Sequence, residues 1–185
     1  MNDNDLDGLK RRMEGALSAL THDFGSLRTG RASANMLDSI MVEAYGSMVP
    51  LNQVANVNVP EARLLSVQVW DKTMVKAVEK AIASSNLGLN PSPDGQVVRV
   101  PIPELSQERR QELIKVAGKY TESGKVAIRN IRRDGMDYYK KLEKDGKISK
   151  DEHHQKGDEI QKITDDFIKK ADDMFHAKEK EILPS

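Results

Sequence analysis

The sequence predicts an α+β protein: an elongated antiparallel three-helix bundle with a small β/α/β domain inserted after its first helix. Three observations carry this. Stretches toward both ends of the 185-residue chain repeat apolar residues at spacings of three and four, the signature of amphipathic helices. The stretch between them breaks into short runs rich in β-branched residues, bounded by Gly, Pro and Asn. Charged residues make up 31% and aromatics 4%, a balance that suits long solvated helices better than a compact aromatic core.

The first helix is marked by Leu6, Leu9, Met13, Ala16, Leu17, Leu20, Phe24 and Leu27, and its pattern stops at Thr29-Gly30. SIMVEAY, NVNVP, LLSVQVW and QVVRVPI then read as about four strands. Before the last of them, Asp71 is a plausible N-cap for KTMVKAVEKAIAS, whose Met74, Val75, Val78, Ala81 and Ile82 form a helical stripe. LGLNPSPDG follows as a loop, and Trp70, closing a strand pattern, reads as core or sheet packing. Helical periodicity resumes after Ser106. Ile114, Ala117, Thr121, Gly124, Ile128, Ile131, Gly135, Tyr138 and Leu142 alternate spacings of three and four, which implies a bundle or coiled-coil seam. Asp145-Gly146 ends it, and Ser149 with Glu152 forms a capping box for the last helix, lined by Ile160, Ile163, Phe167, Ala171, Met174 and Ile182. The bundle is therefore assigned to 1–29 and 104–185, and the insert to 30–103. Two strands of chain cross between them: Thr29, Gly30, Arg31, Ala32 and Ser33, then Pro101, Ile102, Pro103 and Glu104. Gly30 makes the first crossing pliable and the two prolines stiffen the second, so these residues form the expected hinge.

Composition narrows the function classes. Without cysteine there are no disulfides, thiolate nucleophiles or cysteine zinc sites. No apolar run approaches the roughly 18 residues of a membrane helix, and the acidic start MNDNDLDGLKRRM lacks the apolar core of a secretory signal. A cytoplasmic protein without membrane attachment is expected. No Walker A loop, GxGxxG, GxSxG, HExxH or EF-hand pattern occurs. His153-His154 are adjacent and project about 100° apart on a helix, so a polar turn is the better reading than a metal site. Asp165-Asp166 and Asp172-Asp173 alternate with lysines and read as a charged helix face rather than an acid/base couple. No catalytic residue, metal or cofactor is assigned.

The net charge is zero, yet residues 107–144 carry eleven Lys and Arg against six Asp and Glu. Within KVAIRNIRRDG, Ile128 and Ile131 face one way, and Arg129, Arg132 and Arg133 cluster beside them. Arginine offers a planar fork that matches phosphate oxygens. Arg110 lies 22 residues before Arg132, about 33 Å along an ideal helix and about 40° around it, so the two could share one basic track. The cluster reads either as a solvated helix face or as a surface for RNA or phosphate. Few aromatics accompany it, which favours folded RNA over single strands.

Four motifs in order, SLRTGRAS (26–33), EKAI with LGLNP (79–91), VRVPIPELSQERR (98–110) and VAIRNIRRDG (126–135), resemble the ribosome recycling factor family over nearly the whole chain. The resemblance implies an L-shaped molecule of bundle and β/α/β domain. It implies a monomeric, non-enzymatic translation factor that binds the large ribosomal subunit. With elongation factor G and GTP, such a factor splits the post-termination ribosome into subunits. It also implies rRNA contacts through Arg110, Arg129, Arg132 and Arg133, with Arg28 near the hinge. The chain departs from the family at Gly118, Gly124 and Gly135, where alanine is usual, and at His153-His154, where acids are common. A different class, a structural coiled-coil adaptor whose seam is completed by a partner helix, remains the alternative; salt dependence separates the two.

Overall fold

In chain order the elements are α1 (Leu6–Gly25), β1 (Met41–Ala44), β2 (Ser47–Pro50), β3 (Ala55–Glu61), β4 (Leu64–Val69), α2 (Val75–Ala83), β5 (Ser92–Asp94), β6 (Val97–Pro101), α3 (Gln107–Lys144) and α4 (Lys150–Ile182). They belong to a computed structural model that describes residues 2–183. The chain divides into two compact units, Met1–Thr29 with Gln107–Ser185, and Gly30–Ser106.

The larger unit is a three-helix bundle. Asp5 caps α1 by accepting a hydrogen bond from Gly8 N at 2.8 Å. The Ser149 hydroxyl accepts from Glu152 N at 3.0 Å and starts α4, the N-cap half of the expected capping box. Between them α3 runs 38 residues, about 57 Å. Its end is a Schellman turn: Gly146, at φ +73°, donates to Glu143 O, and Lys147 donates to Leu142 O, both at 2.9 Å. The bundle buries Leu9, Met13, Ile128, Ile131, Tyr139, Ile160 and Phe167 in one cluster, and Leu20, Phe24, Ala117 and Ala171 in a second. Two buried hydroxyls, Thr121 and Thr164, donate back to the carbonyls of Ala117 and Ile160, each at 2.8 Å, so neither is left unsatisfied.

The seam of α3 differs from expectation at both ends. Leu113 and Tyr139 are buried, whereas Ile114 and Tyr138 are only half-buried. A straight helix of 3.6 residues per turn drifts about 20° per heptad from a strict 3.5 repeat, and four heptads of drift move the buried stripe by one residue at each end. Tyr139 is held further by its hydroxyl, which accepts from Leu6 N at 3.0 Å.

The smaller unit has six strands, two more than the sequence suggested. β1 and β2 form a hairpin, and the second sheet has the order β3-β4-β6-β5, antiparallel throughout. β2 and β5 were missed because they are short and carry prolines. Pro93 is tolerated because β5 is an edge strand, where a missing N–H costs no ladder bond. Consequently LGLNPSPDG is a loop only in its first part. α2 packs over the sheets and buries Val78 and Ile82 against Val42, Leu65, Val67, Val98 and Val100. Asp71 caps the turn before α2 by accepting from Thr73 N at 3.0 Å.

Trp70 corrects a second expectation: it is 55% exposed. Leu65, Val67 and Val69 point inward along β4, so the two-residue period puts Trp70 on the opposite face. Nearby, Tyr45 and Gly46 close the β1–β2 hairpin with φ of +50° and +84°, the signature of a type I′ turn. The Tyr45 hydroxyl donates to Asp71 Oδ2 at 2.5 Å. That bond raises the tyrosine's pKa above its ordinary value and lowers the Asp71 carboxyl's.

Candidate nucleic-acid interface

Arg129, Arg132 and Arg133 occupy one turn of α3, flanking the buried Ile128 and Ile131 that fix this face of the helix to the bundle core. The three differ in how they are held. Arg129 Nη1 lies 3.2 Å from Glu122 Oε1, and both side chains are more than half exposed. Such a pair is worth about 0–1 kcal/mol and yields readily to a phosphate. Arg132 is half-buried, and its Nε donates to Gln161 Oε1 of α4 at 2.8 Å. Arg133 is exposed and has no side-chain partner among the described residues. Two positive charges on this turn are thus left without an acidic partner, in a low-cost geometry for an anion.

The remaining predicted contacts lie elsewhere. Arg110 is half-buried in the first turn of α3, and Arg28 is exposed just after α1. Among the expected hinge residues, Gly30 has φ +79° and its Cα faces the Leu105 side chain. Arg31 and Pro103 are exposed, Thr29 is half-buried, and the Ser33 hydroxyl bonds Asn35. Ala32 N donates to Ala62 O at 2.6 Å, and Ile102 N donates to Arg63 O at 2.9 Å, just after Pro101 ends β6. Glu104 pairs with Arg63 at 3.3 Å. Ala32 and Ile102 are therefore tied to adjacent residues of the β3–β4 turn.

Sequence reasoning missed Gln161. Asp165 is exposed, as the charged-face reading expects, and on that surface its Oδ1 accepts from Gln161 Nε2 at 2.8 Å. Asp172 departs from that reading: it is half-buried and pairs with Lys125 of α3. The signal was available in the hairpin: reflecting Arg132 through Gly146-Lys147 lands on Gln161. His153 Nδ1 contacts Glu143 Oε2 at 2.8 Å across the same hairpin. Among the described residues, no group of three or more His, Asp or Glu is placed to hold a metal, and no helix is long and apolar enough to cross a membrane.

Known proteins resemble this chain in sequence and fold. The sequence model of the family described as "Ribosome recycling factor" matches residues 20–183. The ribosome-recycling factor of Sinorhizobium medicae is 63% identical over 179 residues, 97% of this chain and 96% of that protein. That of Rhodospirillum centenum is 60% identical over 183 residues, 99% of each. A solution structure of a ribosome recycling factor superposes with a TM-score of 0.66 at 40% identity, covering 94% of this chain and 92% of that one. A structure described as models for the T. thermophilus ribosome recycling factor and the E. coli elongation factor G bound to the E. coli post-termination complex gives 0.60 at 49% identity over 95% of each chain. The chain belongs to the ribosome recycling factor family.

Proposed function

We propose that the chain is a monomeric, non-enzymatic translation factor of the cytoplasm. It binds rRNA of the large subunit in the post-termination ribosome through the arginine face of α3. With elongation factor G and GTP, it promotes splitting of that ribosome into subunits. The observation that carries the reading is the pair of cations, Arg132 and Arg133, presented on one helix turn without acidic partners. Arg129, Arg110 and Arg28 extend the contact. The T. thermophilus relative, bound with elongation factor G to a post-termination complex, supports the choice of partners. The bundle, 1–29 and 104–185, then serves as the rRNA-binding body, and the insert, 30–103, as the part moved by elongation factor G. The pivots fall outside the bonded Ala32 and Ile102, at Thr29–Arg31 and from Pro103 onward, where Gly30 adopts an angle few other residues reach. The adaptor alternative loses support because Leu9, Ile160 and Phe167 of α1 and α4 already fill the α3 seam.

Two measurements test this. Purified chain, elongation factor G and GTP should together split post-termination ribosomes, with splitting lost when any one is omitted. Arg132→Ala should weaken ribosome binding while leaving the bundle folded, and should flatten the slope of log K against log salt by about one charge. Arg132→Lys should be impaired as well, since a point charge cannot replace a planar fork. Unchanged affinity in a folded Arg132→Ala protein refutes the assignment.

A further inference from the structure

We propose that Gln161 of α4 is the positioning residue for Arg132, presenting its guanidinium as an uncompensated, end-on fork for phosphate. The proposal rests on the reading of Arg132 as an rRNA contact. Its basis is a chain of three groups. Arg132 Nε donates to Gln161 Oε1 at 2.8 Å, and Gln161 Nε2 donates to Asp165 Oδ1 at 2.8 Å. An ionised carboxylate only accepts, so Asp165 selects the amide orientation: the NH₂ turns toward Asp165 and the carbonyl toward Arg132. With Nε engaged, the side-on fork of Nε and Nη is spent, and the two Nη groups remain for a bidentate partner.

The choice of a neutral holder matters for charge. Three neighbouring bundle cations are held by acids, Arg12 by Asp134 at 2.9 Å, Arg129 by Glu122 at 3.2 Å, and Lys125 by Asp172, while the exposed Arg133 is not held by any of the described residues. Arg132 is instead fixed by an amide, with the acid one residue removed in the chain of contacts. Orientation is thereby obtained without neutralisation. Arg132 also comes from α3 and Gln161 from α4, so the α3–α4 register decides whether the holder is in place.

The test is a double-mutant cycle, read as equilibrium binding of the full-length chain to purified bacterial 70S ribosomes at several salt concentrations. Gln161→Ala should weaken binding about three- to tenfold, the scale of one typical lost hydrogen bond, because the guanidinium loses its holder but keeps its charge, while keeping the wild-type salt slope. In an Arg132→Ala background the same change should weaken binding less than twofold. Gln161→Glu, nearly the same in shape, should weaken binding and flatten the salt slope by about one charge, because it places an acid against Arg132. Urea denaturation of both variants should follow wild type, which separates lost positioning from lost folding. Equal weakening by Gln161→Ala in both backgrounds would overturn the proposal. So would wild-type binding of Gln161→Ala in the same assay that shows Arg132→Ala impaired. Wild-type binding of Arg132→Ala itself would remove the rRNA reading, and this proposal with it.

Discussion

Replacing three glycines of α3 by alanine should divide them into two stabilising changes and one destabilising one. Gly118, Gly124 and Gly135 all sit in the helix interior, where glycine costs about 0.8–1 kcal/mol against alanine. Propensity alone predicts three equal gains. The packing separates them. A Cβ at Gly118 would meet Phe175 Cε2 at 3.9 Å, and one at Gly124 would meet Leu20 Cδ2 at 3.7 Å; both are ordinary contacts. A Cβ at Gly135 would collide with Leu9 Cδ1 and press on Cδ2 at 3.1 Å, in a side chain with no exposure and therefore no open space to turn into. Overpacking of this kind costs about 1–3 kcal/mol. Gly118→Ala and Gly124→Ala should each stabilise by about 0.5–1 kcal/mol, or about 1–4 °C in Tm for a chain of this size. Gly135→Ala should lose about 1 kcal/mol net, once its propensity gain of about 1 kcal/mol offsets part of the collision. Urea denaturation followed by far-UV circular dichroism measures all three. In the Gly135→Ala background, Leu9→Ala should cost less than its usual 2–5 kcal/mol, because the new methyl group fills part of the cavity. A Gly135→Ala protein as stable as Gly124→Ala would refute the claim that α1 approaches α3 too closely there for a side chain.

Two further outcomes follow from bonds in the structure. Among the four tyrosines, Tyr45 and Tyr139 should titrate above the ordinary value, Tyr45 chiefly through its bond to Asp71 and Tyr139 chiefly through burial; Asp71→Asn should lower the titration point of Tyr45 alone, as read by NMR of the ring carbons. The signs follow by linkage. The Asp71 contribution to stability is present above the unfolded carboxyl pKa and fades as pH falls through the lowered folded value, while the Tyr45 contribution is present below its unfolded pKa and fades as pH rises through the raised one. Tyr139→Phe removes the acceptor for Leu6 N at the start of α1 and should destabilise by about 0.5–1.5 kcal/mol in the same urea assay.

Periodicity made the bundle legible because each helix must bury one stripe, and a stripe leaves a spacing of three and four. That is why Leu9, Met13, Leu20 and Phe24 of α1 could be named from sequence and lie in the core. The drift of the α3 seam, from Ile114 to Leu113 and from Tyr138 to Tyr139, depends on helix twist, which a repeat pattern does not encode. In the smaller unit, β5 was hidden by Pro93, whose presence argues against a strand until the edge position is known. Trp70 was misread by giving its size more weight than the alternation that turns it outward. At the candidate interface, the arginines were visible as a cluster on one turn. Gln161 was not, because pairing across α3 and α4 requires the hairpin register, and a neutral glutamine carries no charge signal of its own.

The order of the pieces along the chain has a consequence for how the protein is made. α1 is complete before residue 30 is joined, yet the helices that bury Leu9, Met13 and Leu20 lie beyond residue 106. At about 5–20 residues per second, the apolar stripe of α1 spends roughly 8–30 s of synthesis without its partners. The 77 residues of Gly30–Ser106, by contrast, form a unit whose strands and helix are all available once Ser106 is made. Its folding brings Ala32 beside Ala62 and Ile102 beside Arg63, neighbours in the chain, and so draws its two ends together. A long loop between α1 and α3 then becomes a spacer of roughly seven residues, which lowers the entropic cost of closing the bundle by about 2 kcal/mol. The insert, made second, prepares the closure of the domain begun first.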